Sequence, residues 1–131
     1  MFALGDAMAR ILLVEDDVDV RTVMEHVLIA AGYEIDVTGT VAGAHELLHY
    51  VSYDLVIADA KLSDGTGLAV ADNARENDTK ALIITGYAFT LPHGAFDRYD
   101  IHLKPLRPKE LLDVVGQALG GKPSEGLERG R

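Results

Sequence analysis

The stretch Asp54-Leu55-Val56-Ile57-Ala58-Asp59 organises the reading of the 131-residue chain. Four apolar residues run without interruption and end on a carboxylate. So short an apolar run suits a strand buried on both faces, as strands of a parallel sheet are. Residues 60–67 (AKLSDGTG) follow, rich in turn formers and without an apolar period. Asp59 is therefore expected at the C-terminal tip of a central strand, where the chain enters a loop. Open parallel sheets bind their ligands along that edge. Asp59 is accordingly a candidate nucleophile, a candidate metal ligand, or both.

Toward the N-terminus, residues 10–14 (RILLV) form a second buried-strand run that ends on Glu15, Asp16 and Asp17. Val20, Val23, Met24, Val27, Leu28 and Ala31 then recur at helical spacing, one inward face of a helix capped by Asp17 and stopped by Gly32. Tyr33, Ile35 and Val37 alternate with Glu34, Asp36 and Thr38, the pattern of a half-exposed edge strand. Thr40 opens a second helix with Val41, Ala44, Leu47, Leu48 and Val51 inward.

Toward the C-terminus, residues 67–76 make a weaker helix with Leu68, Ala71 and Ala74 inward. Residues 80–85 (KALIIT) make a buried strand ending on the Thr85 hydroxyl. Pro92 and Gly94 interrupt residues 86–98, so a fourth helix is expected to be shortened or irregular. Residues 101–103 (IHL) form a short edge strand ending at Lys104-Pro105. Pro108 starts a last helix with Leu111, Leu112, Val115, Ala118 and Leu119 inward. Tyr33, Tyr50 and Tyr53 read as packing residues. His26, His45, His49, His93 and His102 lack paired metal spacing and read as surface or boundary residues.

Five strands alternating with about five helices define an α/β doubly wound sheet. With the alternating strands at the edges and right-handed crossovers, the parallel order is 2-1-3-4-5. The switch point then lies between the first and third strands. It brings Glu15, Asp16 and Asp59 into one crevice, with Thr85 and Lys104 on the same side. The domain is expected over residues 9–120, with flexible tails at 1–8 and 121–131.

Composition narrows the function. The chain carries a net charge of −9, is 48% hydrophobic and has no cysteine. That supports one packed domain and excludes disulfides, zinc thiolates and thiol catalysis. A polyanion lacks the cations that release phosphate counterions, so no nucleic-acid partner is expected. No run approaches the roughly 20 apolar residues of a membrane span, and the first residues lack the basic region of a signal peptide. A cytoplasmic protein is the expectation.

Three carboxylates about 5 Å apart at an effective dielectric near 20 repel by roughly 3 kcal/mol per pair. Such a cluster protonates, recruits a cation, or both. An all-oxygen site with open positions suits Mg2+. With Lys104 as a fixed positive charge and Thr85 as a hydroxyl donor, the crevice is a phosphoryl site with Asp59 available as the attacking group. Taken singly these residues are ordinary. Acids at 15–17 cap helices, and Thr85 and Lys104 would pass as a strand end and a surface charge; their joint placement carries the argument. Two look-alikes fail. Residues 116–122 (GQALGGK) have P-loop spacing, but Pro123 replaces the hydroxyl residue and the stretch ends a helix. Asp64-Gly65-Thr66 resembles a haloacid-dehalogenase phosphatase loop but lacks the second acid two residues past Asp59.

The chain resembles a response regulator receiver domain. The matching segments are ILLVEDD at 11–17, DLVIADAKLSDGTGL at 54–68, LIITGYA at 82–88 and HLKP at 102–105, in order and at strand ends. The resemblance implies a flavodoxin-like receiver fold and a phosphoacceptor role for Asp59 in a two-component system or phosphorelay. It implies Asp16 as a direct Mg2+ ligand, Glu15 acting through water, and Lys61 lending its backbone carbonyl. Thr85 matches the switch hydroxyl and Lys104 the phosphoryl-contacting lysine, followed by a cis bond to Pro105. Gly86 would leave room for a phosphodonor, and Lys61 and Tyr87 would flank the phosphoryl group, with Tyr87 shielding it from water.

The implied donor is a sensor histidine kinase or a histidine phosphotransfer protein. A downstream protein would bind the face of the fourth helix, fifth strand and fifth helix, and a homodimer is a further option. A stand-alone regulator is expected, whose only chemistry is self-catalysed transfer and autodephosphorylation. The sequence departs from the family pattern at Ile101, where an aromatic is usual, and at Ser63, where proline is common. Tyr99 would share a face with Ile101. The alternatives are a receiver-like interaction module that is not phosphorylated and, further off, a magnesium-dependent phosphatase.

Overall fold

The computed structural model describes residues 9–86 and 91–120. The expected tails and Tyr87 lie outside the described residues. The elements are β1 (Arg10–Val14), α1 (Val18–Ala30), β2 (Glu34–Thr38), α2 (Val41–Tyr50), β3 (Leu55–Asp59), β4 (Lys61–Leu62), β5 (Gly65–Thr66), α3 (Gly67–Glu76), β6 (Lys80–Thr85), α4 (Ala95–Arg98), β7 (Ile101–Leu103) and α5 (Pro108–Ala118). Five of the strands form a parallel sheet in the order β2-β1-β3-β6-β7. In chain order of those five, this is the expected 2-1-3-4-5. The antiparallel two-residue pair β4-β5 was not foreseen.

The unbroken apolar runs follow from the two layers they feed. Leu12, Val14, Val56, Ala58 and Ile83 point to the side covered by α2 and α3. Ile11, Leu13, Leu55, Ile57, Leu82 and Ile84 point to the side covered by α1 and α5. Alternate residues of a strand face opposite sides, so a strand covered on both must be apolar throughout. The helix starts match their caps: Asp17 accepts from the Val20 N–H at 3.0 Å, Thr40 from Gly43 at 2.9 Å and Thr66 from Ala69 at 3.2 Å. Gly32 ends α1 with a φ of 101°, a conformation that favours glycine.

Three expectations need correction. Val23 is 61% exposed and Ala31 is exposed as well, so the inward face of α1 is narrower than its apolar stripe. Met24, Val27 and Leu28 make the contact with the sheet. Tyr50 is not a packing residue: it is 77% exposed at the end of α2, with His49 edge-on at 4.6 Å. Val70 of α3, absent from the expected inward set, is fully buried.

The α4 helix spans only four residues and starts after Gly94 at a φ of 84°, as its two breakers imply. Tyr99 caps its end instead of joining β7. Even so, Tyr99 and Ile101 pack against the same core cluster. The guanidinium groups of Arg75 and Arg98 lie 5.6 and 5.3 Å from the centroid of the Tyr99 ring, and the Tyr99 hydroxyl donates to Asp72 at 2.8 Å.

Candidate functional site

Each acid of the 15–17 run has a different task. The Glu15 N–H continues the β1 ladder to the Thr38 carbonyl at 3.0 Å, which turns its side chain into the crevice. Glu15 is 2% exposed. Asp16 stands exposed at the mouth, and Asp17 caps α1. Asp59 ends β3, between β1 and β6, at the switch point of the sheet. The chain turns sharply behind it. The Gly67 N–H donates to the Ala60 carbonyl at 2.9 Å, and a Cβ on Gly67 would fall 2.1 Å from the Asp59 carbonyl oxygen.

The structure brings Glu15, Asp16 and Asp59 together, each offering a carboxylate oxygen within 4.8 Å of the others. Lys104, just past β7, reaches between two of them. Its ammonium is 3.0 Å from Glu15 Oε1 and 3.2 Å from Asp59 Oδ2. The peptide bond from Lys104 to Pro105 is cis. The Lys104 N–H donates to the Thr85 carbonyl at 2.9 Å, so the fourth and fifth strands of the sheet end side by side. Thr85 is fully buried and lies with Ala60, Lys61 and Thr66 along a cavity of about 290 Å3. The Lys61 N–H donates to Asp59 Oδ1 at 3.3 Å.

Burial pushes the Glu15 carboxyl above its ordinary range, and the Asp59 charge adds to this. The Lys104 ammonium and the Asp17 N–H pull the other way without cancelling it. Burial would lower Lys104, but the hydrogen bond to Glu15 and the charges of Asp59 and Glu15 outweigh it and hold the ammonium above its usual value.

The donor set fits a divalent cation. Three carboxylates and one ammonium leave an excess of two negative charges within the cluster. Both Glu15 oxygens already have protein partners, Lys104 and the Asp17 N–H, which suits a role through water. Among the described residues, Asp16 has no hydrogen bond or ion pair to its carboxylate.

Three residues around the site escaped the sequence. Gly67 makes the close approach to Asp59. Arg21 Nη1 donates to the Glu15 carbonyl at 3.1 Å and steadies the end of β1. Asp64, dismissed with its phosphatase look-alike, accepts from the Val41 and Ala42 N–H groups at 2.7 and 3.1 Å. The Asp-Gly pair signals a turn, but nothing local to it points to a helix 23 residues upstream.

Comparison with known proteins agrees with this geometry. The model of the response regulator receiver domain family matches residues 11–116. The response regulator receiver protein CpdR of Brucella abortus is 36% identical over 83 residues, covering 62% of this chain and 69% of that protein. The transcriptional regulator NtrC of a Bradyrhizobium species is 31% identical over 120 residues, covering 88% of this chain but 25% of that protein. The response regulator TrrA of Thermotoga maritima, solved in complex with Mg2+-BeF, superposes with a TM-score of 0.76 at 29% identity, covering 85% of this chain and 99% of that one. The chain belongs to the response regulator receiver domain family of two-component systems. Among the described residues, no helix is long and apolar enough to cross a membrane.

Proposed function

We propose that this receiver accepts a phosphoryl group from a phosphohistidine onto Asp59 and signals through the change this makes. The observation that carries the proposal is the convergence of Glu15, Asp16 and Asp59 at the switch point with Lys104 bridging two of them. Asp16 would hold Mg2+ directly, with Asp59 and the Lys61 carbonyl, and Glu15 through water. When bound, the ion would neutralise oxygens of the transferring group.

The chain's own residues do the rest. A carboxylate oxygen of Asp59 attacks phosphorus. The phosphorus–nitrogen bond to the donor breaks, and its electron pair returns to the imidazole. Lys104 follows the developing charge from Asp59 to the phosphoryl oxygens, and the Thr85 hydroxyl donates to one of them. The bound group adds about −1.5 to −2 charges, and this biases a two-state equilibrium of the domain. No external substrate is turned over, so the protein acts as a signalling module and not as an enzyme of metabolism.

A histidine kinase or phosphotransfer protein must bring its histidine to the crevice, and a surface of suitable character adjoins it. Val20, Val23, Met24, Pro105, Leu106 and Leu111 line an apolar groove of about 410 Å3 that Lys104 borders. The exposure of Val23 has its reason there. The output face on α4, β7 and α5 is proposed for a downstream protein partner: Phe96 and Leu103 are 56% and 53% exposed on it.

Chemical trapping tests the linkage. Treating the phosphorylated protein with hydroxylamine should release phosphate and leave a hydroxamate on the peptide holding Asp59. A phosphoryl group that resists hydroxylamine, or one mapped to Thr85, contradicts the proposal.

A further inference from the structure

Asp64 lies five residues past Asp59 in the turn between β4 and β5, and its carboxylate closes on another element. Oδ1 accepts from the Val41 N–H at 2.7 Å and Oδ2 from the Ala42 N–H at 3.1 Å. The first four N–H groups of a helix have no partner within it. In α2 three of these are met by side chains: Asp64 takes Val41 and Ala42, and the Thr40 hydroxyl takes Gly43. The two N–H bonds hold the Asp64 carboxyl below the usual carboxylate range.

Two further contacts seat the same turn. Leu62 is buried in the core cluster that also holds Val41. A Cβ on Gly65 would come within 3.1 Å of Val41 Cγ2. The hairpin is stiffened across its width by the pairs Lys61↔Thr66 and Leu62↔Gly65. Its first residue, Lys61, donates its N–H to Asp59 Oδ1. A path of packed backbone therefore runs from the first turn of α2, through the Asp64 carboxylate and the hairpin, to one oxygen of the candidate phosphoacceptor.

We propose that Asp64 is a positioning residue for the Asp59 site: by pinning the hairpin to α2 it fixes the Lys61 backbone that orients the Asp59 carboxylate. The proposal rests on the phosphoacceptor reading of Asp59. A group placed to within fractions of an ångström by a supporting contact loses function when the contact loosens. Both bonds cap α2. The use of both oxygens from a residue in the phosphoacceptor loop ties the two elements together.

The test compares Asp64→Ala with Thr40→Ala. Thr40→Ala removes a different cap from the same helix without touching the hairpin. In the metal-free proteins, the Lys61 amide resonance should shift in Asp64→Ala and stay in place in Thr40→Ala. Calorimetric titration with Mg2+, at a temperature where circular dichroism shows each variant folded, should give about 10-fold weaker binding for Asp64→Ala, the size typical of lost support to a metal ligand. Thr40→Ala should bind as the wild type does, and Asp64→Asn should recover part of the loss.

Equal Mg2+ affinity and an unmoved Lys61 amide in Asp64→Ala would make Asp64 a helix cap only and overturn the inference. Equal losses in both variants would do the same, since the effect would then follow helix stability. Should Asp64→Ala fail to fold, Asp64→Asn decides: weaker binding supports the inference and wild-type binding overturns it. A wild-type protein that neither binds Mg2+ nor takes up phosphoryl would defeat the phosphoacceptor reading itself, and the inference with it.

Discussion

The ammonium of Lys104 stands 3.2 Å from a carboxylate oxygen of Asp59, and this contact ties the last strand of the sheet to the central one. Lys104 also bonds Glu15, so one side chain offsets part of the repulsion in a crowded acidic pocket. Its position matters in the metal-free protein most of all.

Replacing Lys104 with alanine should therefore destabilise the metal-free protein by about 2 kcal/mol, below the roughly 3–5 kcal/mol of a broken fully buried pair, because its side chain keeps 28% exposure. A saturating concentration of Mg2+ should restore most of the loss, since the pocket then has another cation. Urea denaturation with and without Mg2+ measures both. A destabilisation that Mg2+ leaves untouched would mean that Lys104 acts by packing and not by charge.

Gly67 has no room for a side chain. A Cβ there would lie 2.1 Å from the Asp59 carbonyl oxygen, so Gly67→Ala must move α3 or the tip of β3. The expected cost is about 1–3 kcal/mol, the range for overpacked sites, with a loss of phosphoryl uptake larger than that stability change explains. Rates measured well below the melting temperature separate the two effects. Normal uptake in the variant would show that the tip yields without consequence.

The groove beside Lys104 makes a separable prediction. Val23→Asp places a charge on an exposed apolar position and should slow transfer from a phosphohistidine protein at least 10-fold, as loss of about 1.4 kcal/mol of docking energy does. Uptake from acetyl phosphate should not change, because no docking face is needed. Slowing with both donors would place the effect in the fold of the site.

Raising the pH should destabilise the protein from about pH 10 upward. Burial and the hydrogen bond from its hydroxyl to Asp36 at 2.6 Å hold the Tyr53 proton far above its ordinary value of 10.0. The unfolded chain releases that proton near pH 10 while the folded chain keeps it, so rising pH favours unfolding. Lys104 works in the same direction: its raised affinity stabilises below the ordinary 10.5 and is lost as pH passes its folded value. Denaturant midpoints should fall less steeply above pH 10 in Tyr53→Phe than in the wild type. Parallel slopes would remove Tyr53 from the account.

Much of this architecture was legible because buried parallel strands advertise themselves. Arg10–Val14, Leu55–Asp59 and Lys80–Thr85 are apolar runs whose ends coincide with the observed ends. Once those tips are aligned, Glu15 and Lys104 meet across 89 residues of chain. What was not legible depends on surfaces whose partners the pattern leaves unnamed. Helical spacing marks the apolar stripe of α1 but not how much of it the sheet covers, so Val23 was misplaced. Tyr50 follows the same logic at the end of α2. Asp64 and Gly65 are two letters of a turn until α2 is set beside them. The side chain of Tyr99 is held by Arg75, Arg98 and Asp72, partners that no period connects to it.

The most direct test of the central claim is the intact mass of the protein after incubation with acetyl phosphate, with and without Mg2+, beside the Asp59→Asn variant. The account predicts one phosphoryl adduct that forms with Mg2+, fails without it, and is absent from Asp59→Asn. An adduct of equal yield in the variant, or no adduct in the wild type from either acetyl phosphate or a phosphohistidine protein, would contradict it.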